Sequence, residues 1–451
     1  MLKEKLYKSI LIAIICLGGI LRLAVFWVSP ANNAYDDHLE VVSIYADGFK
    51  RPAPFQCWEC YQPPLYYCTG AAVYRITKLL GGSQATCWKM VQAINPLLSI
   101  MVLLITYKIL MLFKLQKLSA IITLSFVMVL PRDIFTSAML GNDYMLVFFA
   151  VLAFFLFLKT VSTLNKENTF LGWMCALVFS VILGSLTKQH GLLLLLFPGI
   201  ICLLLFRKSQ RKKLYWAIPI LILGVLFSLS EEAWKFNQTG EFLVSNQYYF
   251  DYAEHQFPGS LEKVEFFTFR IFELYQYPFI SDYTSASFFT ELFARTFYDY
   301  EWRFISPKIP WAKTLGYIGY SVGLIWGLFF IVILLSWKKE RPKNNFEVNW
   351  HRFICRVVPL FLAFLYLMVP FIQTLRSPYF SSMKSMFMLP GIILFLITLG
   401  SLIKQNSLAE QLGRFIIILN VFYGIILVIS ISVYLGVSVN QLHGPLWPFP
   451  L

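Results

Sequence analysis

Apolar segments about as long as a membrane-spanning helix recur along the whole chain, and they constrain its fold more than any other feature. A helix needs roughly 20 apolar residues to cross the hydrocarbon core of a bilayer. Of the 451 residues, 58% are hydrophobic and 14% are charged, which is too little charge to cover a soluble protein of this size. The sequence therefore excludes a soluble enzyme and a disordered chain, and it predicts an all-α polytopic membrane protein. The predicted spans are 9–28, 91–113, 119–137, 143–158, 170–186, 190–206, 214–232, 314–337, 353–372, 385–403 and 415–435.

The net charge of +14 reports membrane topology rather than a nucleic-acid partner. The basic residues lie mostly in short loops between the apolar segments, for example in 108–117 and 207–213. Cytoplasmic loops of membrane proteins carry such an excess of Lys and Arg. We therefore expect a cytoplasmic N-terminus, cytoplasmic loops at these basic stretches, and a lipid bilayer around the chain.

The shorter apolar segment 65–80 is predicted to lie at the membrane interface rather than to cross the membrane. With a cytoplasmic N-terminus, the loop after the first span is extracytoplasmic, whereas the basic loop 108–117 is cytoplasmic. Only an odd number of crossings joins these two loops, and segment 91–113 already supplies one. Segment 65–80 is also short and begins after Pro63-Pro64. The count is then about 11 spans, with the C-terminus outside.

Two of the predicted extracytoplasmic loops are long, and the whole chain, 1–451, is predicted to form a single transmembrane domain. The first loop, 29–90, contains an acidic motif and the interfacial helix. The second loop, 233–313, is rich in Tyr, Phe and Glu, and we expect short amphipathic helices in it on the membrane surface. No internal repeat is visible in the sequence.

The densest cluster of ionisable residues opens the first loop, where Asp36, Asp37 and His38 follow the first span within about ten residues. Charged groups at the membrane boundary are costly unless they find a partner or serve a function. A carboxylate there can accept a proton from an acceptor while a lipid-borne donor lies beside it. Glu59 is a third acid in the same loop. The alternative is a solvated acidic turn or a helix cap.

Cys57 and Cys60 form the one close pair among the eight cysteines. An extracytoplasmic loop faces an oxidising compartment, so a disulfide is favoured over free thiols. The alternative is a redox-active Cys-x-x-Cys site, which is a more specific function than a structural disulfide. No thioredoxin-like βαβ pattern surrounds the pair, which argues against it.

Further charged residues lie at other junctions between spans and loops. Asp143 begins a predicted helix and has the alternative role of capping it. Taken alone, Lys188 is predicted to extend toward lipid headgroups, and binding of an anionic ligand is the alternative. Arg376 and Lys384 suit a phosphate leaving group, because cations stabilise the charge that develops on it. An ordinary headgroup contact is their alternative. Arg22 interrupts the first span and is expected to face an acid or a phosphate inside the bundle.

Five short motifs in order give the chain a resemblance to a known family. The chain resembles membrane-embedded glycosyltransferases with the GT-C fold, closest to the family of dolichyl-phosphate-mannose protein mannosyltransferases and lipid A aminoarabinose transferases. The resemblance covers the first 200 residues well and the last third loosely, and 233–313 does not align. The motifs are Tyr35-Asp36-Asp37-His38, Glu59 with Gln62-Pro63-Pro64-Leu65-Tyr66-Tyr67, Gly141-Asn142-Asp143, Leu186-Thr187-Lys188, and Lys384-Ser385-Met386-Phe387-Met388-Leu389-Pro390.

The resemblance implies a role for each matching residue. Asp36 matches the catalytic base, and Asp37 matches a neighbouring acid that is more often Glu, so either carboxylate is a candidate base. The remaining matches imply substrate binding: His38, Glu59 and Asp143 around the cavity, and Lys188, Arg376 and Lys384 near the lipid phosphate. Lys384 and Phe387 stand where Arg and Tyr are usual.

The function implied is transfer of a sugar from a polyprenyl-phosphate donor to a protein, glycan or lipid acceptor on the extracytoplasmic side. The reaction is an inverting displacement, like that of an inverting glycosidase with the acceptor in place of water. The resemblance implies no required cofactor, although it leaves a divalent metal open; the residues themselves show no zinc-ligand spacing. A bacterial plasma membrane is favoured over an endoplasmic reticulum.

Two other classes of function fit a polytopic membrane protein. A transporter or flippase for an amphipathic or anionic solute also buries charges, but such proteins usually show internal repeats and charges near the bilayer centre. A non-catalytic assembly subunit is the other alternative, and it would tolerate loss of Asp36 and Asp37.

Overall fold

The described part of the chain is helical, with no strand in it. It comes from a computed structural model. The described residues are 4–31, 33–164, 167–207, 210–242, 244, 263–281, 286–335, 346–376, 382–403 and 407–435. The predicted location of the C-terminus concerns 436–451, which lie outside these residues.

The α-helices are numbered below in chain order, and two 3₁₀ turns, Gln189–Leu195 and Ser385–Met388, each precede a helix. The helices are α1 (Glu4–Val28), α2 (His38–Gly48), α3 (Leu65–Leu79), α4 (Gln84–Gln92), α5 (Ile94–Leu112), α6 (Lys117–Val129), α7 (Pro131–Ser137), α8 (Asp143–Ser162), α9 (Glu167–Thr187), α10 (Leu196–Arg207), α11 (Arg211–Thr239), α12 (Lys263–Phe266), α13 (Ile271–Gln276), α14 (Phe288–Phe297), α15 (Ala312–Leu335), α16 (Phe346–Arg376), α17 (Leu389–Gly400) and α18 (Ser407–Leu435).

All eleven predicted spans coincide with helices of the described chain, and the predicted fold class is confirmed. By length and composition, nine helical segments in the described ranges can cross a membrane, and one of them is the joined pair α4 and α5, Gln84–Leu112. A tenth is the bent pair α6 and α7. The segment predicted at 385–403 is a shorter apolar helix, Ser385–Gly400, so the length criterion counts nine or ten crossings rather than 11.

The segment predicted as one span at 119–137 bends by 50° between α6 and α7. Pro131 causes the break, because proline has no backbone N–H and disfavours helical geometry in the residue before it. Leu130 accordingly adopts a non-helical ψ of 111°. The bend turns α7 and the residues after it toward the same end of the bundle as the first loop.

The helices predicted in the two long loops are present where the structure describes them. The segment 65–80, predicted to be an interfacial helix, contains the helix α3, which begins after Pro64 and is shorter than a span. It packs between α2 and α4. In the second loop α12, α13 and α14 are short, while residues 245–262 and 282–285 lie outside the described part. α11 extends to Thr239, beyond the predicted end at 232.

Arg22 is completely buried and faces an acid. The sequence predicted that it would face either an acid or a phosphate. Its guanidinium pairs with Asp133 on α7, and the hydroxyl of Tyr144 donates to the other oxygen of that carboxylate at 2.6 Å. Pro131 has no N–H to donate to the carbonyl of Val127 four residues earlier. Arg22 donates to that carbonyl instead, at 3.0 Å. The arginine thus stabilises the broken helix on two sides.

Loss of the acid from this pair should strongly destabilise the protein. We expect Asp133→Asn to lower the free energy of unfolding by about 3–5 kcal/mol, because it leaves a buried guanidinium without its counter-charge. The measurement is the midpoint of thermal unfolding in detergent. Glu40→Gln, at an exposed acid on α2, is the control and should change little. Equal midpoints for the two variants would contradict the role given to Asp133.

Candidate functional site

One end of the bundle, called the site face below, brings together charged residues from distant parts of the sequence. Each lies next to the end of a helix or in a short loop. α8 carries the inner part of the site, since it is the most enclosed candidate span and packs against α5, α9, α10 and α17. The residues and their positions are Asp36 before α2, Glu59 in the first loop, Asp143 at the start of α8, Lys188 after α9, and Lys384 before the turn Ser385–Met388.

Asp36 and Lys384 form the central contact of the site face, although 348 positions separate them. The ammonium of Lys384 donates to both carboxylate oxygens of Asp36, at 2.9 and 2.7 Å. The side chains of Asp36 and Lys384 are 16% and 9% exposed, respectively. The indole N–H of Trp58 approaches the same carboxylate at 3.4 Å. The two motifs at opposite ends of the sequence therefore meet in one ion pair.

Asp36 and Glu59 prefer opposite protonation states because their neighbours differ. Burial disfavours the charged form of Asp36, but the surrounding cations, led by the ammonium of Lys384, outweigh it and lower the pKa of that carboxyl to about 2. Burial, and then the negative charge of Asp36, raise the pKa of Glu59 well above its ordinary value. Such a pair supplies a carboxylate and a carboxylic acid side by side, the division of roles found in acid–base catalysis.

Asp37 and Arg376 are exposed, in contrast to the enclosed side chains of this cluster. Asp37 is exposed and caps α2: its carboxylate accepts a hydrogen bond from the backbone N–H of Glu40 at 3.2 Å. That is the alternative role considered for the acidic pair, and it applies to one member only. Arg376 is exposed at the last residue of α16. The structure thus brings together six of the eight predicted site residues.

Asp143 and Lys188 form a second buried ion pair in the site face. Lys188 also donates to the side-chain oxygen of Asn142 at 3.3 Å, and the amide of Asn142 donates to the carbonyl of Thr187 at 3.1 Å. Both charged side chains are about 5% exposed or less. Lys188 is therefore directed into the protein, so the extension toward lipid headgroups predicted from its position in the sequence is wrong.

His38 is buried at the start of α2, where its Nδ1 and the hydroxyl of Tyr67 share a hydrogen bond of 2.8 Å. It lines a small pocket together with Gly141 and Asp143. A Cβ on Gly141 would lie 3.0 Å from the imidazole, so glycine permits the close approach of this turn. The pocket adjoins the acids and the Lys188 pair.

The burial of His38 predicts a pH dependence of stability. Burial lowers the pKa of His38 to about 4, so between its ordinary pKa of 6.5 and pH 4 the unfolded chain binds a proton that the folded chain does not. Stability contributed by neutral His38 should therefore fall as the pH is lowered through this window. We expect the unfolding temperature of His38→Asn to depend less on pH between 6.5 and 4 than that of the wild type. Parallel curves would show that another group is responsible.

A disulfide joins Cys57 to Cys60, as the sequence predicts. It closes a turn that contains Trp58 and Glu59, the residues that approach Asp36 from the first loop. Both cysteines are buried. The disulfide therefore fixes the backbone that presents these two side chains.

Tyr35, directly before Asp36, is held by two arginines that the sequence did not indicate. Arg132 on α7 donates to its hydroxyl at 2.6 Å. Arg303, in the second loop, lies 4.1 Å above the ring and donates to the carbonyl of Ala34 at 2.6 Å. The only available signals were an arginine at the end of an apolar segment and a basic residue in a loop that does not align. These contacts fix the backbone position of Asp36.

An apolar pocket, partly open to solvent, is lined by residues that neighbour this arginine pair in the sequence. Pro131, directly before Arg132, and Phe135, three positions after it, line the pocket, and so does Phe304, which follows Arg303. Val25 of α1 and Leu427 of α18 close it from the bundle. The pocket lining is therefore apolar apart from Ser430, and the arginines are next to lining residues in the sequence without being part of the lining.

No group of three or more His, Cys, Asp or Glu side chains within the described ranges is placed to hold a metal ion. The acids Asp36 and Asp143 are each paired with a lysine instead. The site face therefore consists of acids, ammonium groups and aromatic side chains.

No protein-family model and no curated protein matches the sequence. Solved structures of GT-C glycosyltransferases match the fold. One is the S. cerevisiae protein O-mannosyltransferase Pmt1-Pmt2 complex bound to the sugar donor, with 15% sequence identity and a TM-score of 0.40. That match covers 55% of this chain and 35% of the other.

Two further matches cover more of this chain. The archaeal oligosaccharyltransferase AglB from Archaeoglobus fulgidus, in complex with an inhibitory peptide and a dolichol-phosphate, has 11% identity and a TM-score of 0.45 over 93% of this chain and 55% of the other. ArnT from Cupriavidus metallidurans, bound to undecaprenyl phosphate, has 13% identity and a TM-score of 0.36 over 86% and 77%. The chain spans about a third to just over half of the first two proteins.

Proposed function

We propose that the chain is a membrane glycosyltransferase that moves a sugar from a polyprenyl-phosphate donor to an acceptor by inverting displacement. The observation that carries the proposal is the Asp36–Lys384 contact in the site face of a membrane-spanning bundle. It places a carboxylate base and a cation for a phosphate within one hydrogen bond of each other. The motifs around both residues also match those of the GT-C family named above.

In the proposed step, a hydroxyl or amine of the acceptor attacks the anomeric carbon and loses its proton to Asp36. The bond between that carbon and the phosphate oxygen breaks, and its electron pair stays with the phosphate. Lys384 stabilises the phosphate, because a fixed cation acts most strongly where negative charge develops. Attack and departure occur on opposite faces, which inverts the anomeric centre.

Glu59 and His38 are proposed to bind the sugar rather than to transfer the proton. The raised pKa of Glu59 favours its protonated form, which can donate a hydrogen bond to a sugar hydroxyl. The lowered pKa of His38 keeps it neutral at pH 7, and it lines the small pocket beside Asp143. Neutral polar groups orient a sugar without competing for the phosphate.

The lipid part of the donor is proposed to occupy the apolar pocket between α1, α7 and the second loop. This pocket is lined almost entirely by apolar side chains, and its lining residues Pro131 and Phe304 are next in sequence to Arg132 and Arg303, which lie over the ring of Tyr35. An isoprenoid tail there would place its phosphate on the cationic side of Tyr35. The aromatic residues around the site would also exclude water and limit hydrolysis of the donor.

We further propose that transfer occurs on the extracytoplasmic side of a bacterial plasma membrane. The distribution of Lys and Arg supports this orientation, because it assigns the loops opposite the site face to the cytoplasm. Protein, glycan and lipid acceptors are all compatible with a site formed by loops at the membrane boundary.

The test of the proposal is release of free polyprenyl phosphate by the purified protein. The full chain in detergent is supplied with a panel of polyprenyl-phosphate sugars and with crude envelope acceptor, and the released lipid phosphate is measured by mass spectrometry. We expect release from at least one donor and dependence of that release on acceptor. A folded protein that releases nothing from any donor, and moves intact lipid or solute across a vesicle membrane, would instead be a transporter.

A further inference from the structure

In the proposed reaction Lys384 interacts with two anions, the carboxylate of Asp36 and the phosphate of the donor. In this structure it already binds Asp36. Two of its three ammonium N–H groups are directed at the two oxygens of Asp36. This contact therefore engages both Asp36, the proposed base, and Lys384, the cation proposed to bind the phosphate. The phosphate of a donor can bind Lys384 fully only by replacing Asp36.

We propose that donor binding activates the base: the lipid phosphate takes Lys384 from Asp36 and leaves the carboxylate available for the acceptor's proton. The inference rests on the proposed function and adds its regulation. Before the donor binds, the ammonium shields the carboxylate from an acceptor. After it binds, the phosphate both removes that cation and adds a negative charge nearby.

The contacts of the two residues favour movement of Lys384 over movement of Asp36. Tyr35 and Ala34, immediately before Asp36, are held by Arg132 and Arg303 at the distances given above. Asp36 is therefore fixed from its backbone. Lys384 is a long side chain with four rotatable bonds, and such a group changes its contact at little cost in covalent geometry. The exchange needs a movement of the lysine side chain alone.

Lys188, the other lysine of the site face, does not replace Lys384 in this exchange. It is bound to Asp143 and Asn142, and it is about 5% exposed. The titratable groups that face Asp36 are Lys384, His38, Lys188, Glu59 and Tyr61. Of these groups in the described part of the chain, Lys384 alone is within hydrogen-bond distance of the Asp36 carboxylate. Its departure is therefore the largest change in the electrostatic environment of Asp36.

One consequence is a fixed order of substrate binding. An acceptor that arrives before the donor meets a carboxylate whose two oxygens are already hydrogen-bonded. An acceptor that arrives after the donor meets a carboxylate with higher proton affinity, because a nearby cation has been exchanged for an anion. The exchange thus makes the base active only when a sugar is present to be transferred.

The experiment measures protonation of Asp36 by its reaction with a carbodiimide, which modifies protonated carboxyl groups, followed by mass spectrometry of the peptide. The full chain in detergent is labelled across pH 4 to 7, alone, with geranylgeranyl phosphate, and with neutral geranylgeraniol. Exposed Asp37, on the same peptide, is the internal reference. We expect geranylgeranyl phosphate to raise the labelling of Asp36 at a fixed pH by about tenfold or more, because a tenfold change in proton affinity corresponds to one pH unit in the labelling midpoint.

The variants and the binding control separate the possible outcomes. Lys384→Met should label strongly at Asp36 without lipid, and geranylgeranyl phosphate should add less than in the wild type. Binding is followed independently by the rise in unfolding temperature. Binding of geranylgeranyl phosphate without a rise in labelling at Asp36, or with an equal change at Asp37, would overturn the exchange and leave the proposed function standing. Absence of binding would overturn both.

Discussion

Asp36→Asn is expected to lower the rate of acceptor-dependent polyprenyl phosphate release by about 10²-fold or more, the usual contribution of a positioned general base. The amide keeps the size of the side chain but cannot accept the acceptor's proton. The rate is measured with saturating donor, and binding of the donor is checked by its effect on the unfolding temperature. The effect should appear mainly in kcat, because the base acts in the chemical step.

Asp37→Asn is the matched control for this variant. The two aspartates are adjacent in sequence, but Asp37 caps α2 from an exposed position, and asparagine caps a helix about as well as aspartate does. We therefore expect little change in rate or stability. A large loss from Asp37→Asn together with near-normal Asp36→Asn would reverse the assignment of the base.

The second large effect is expected at Lys384. Lys384→Met should lower the same rate by about 10²- to 10³-fold, the loss that follows removal of one group that stabilises developing negative charge. The variant also frees Asp36 from its ion pair, but a free base does not compensate for a phosphate that departs without a cation. Lys384→Arg keeps the charge and should recover part of the rate.

Arg376→Met provides the comparison for the lysine variants. The family resemblance places both cations near the phosphate, whereas the structure has Arg376 exposed at the end of α16 and Lys384 bound to Asp36. A nearly unchanged rate for Arg376→Met is the expected result. If both variants lost activity equally, the loop after α16 would have to approach the site face during the reaction.

Much of the site was visible in the sequence because its motifs are local. Asp36, Glu59, Asp143, Lys188 and Lys384 were all selected from short motifs at the ends of apolar segments, and the structure brings them to one end of the bundle. The disulfide was also predictable, since two cysteines three positions apart already lie within reach of each other. The motifs did not indicate which of these residues contact one another, because those contacts join segments that are distant in the sequence.

The choice between Asp36 and Asp37 shows this limit clearly. Adjacent residues in a loop have the same sequence environment, and the pattern left both as candidate bases. The structure separates them because the backbone turns between them: one side chain meets Lys384 from the far end of the chain, and the other caps α2. Arg303 is a similar case, since its contact with Tyr35 joins two loops with no common motif.

The sequence by itself determined that this protein is a helical membrane protein, where its apolar segments lie, and which polar motifs lie between them. Hydrophobic length and charge distribution are local properties, and the bilayer acts on each segment separately. The tertiary structure alone decided the break at Pro131 with its Arg22–Asp133 pair, and which carboxylate faces which ammonium. In each of these pairs the two side chains are more than a hundred positions apart in the sequence but within about 3 Å of each other in space. Only the packing of the helices brings such residues together.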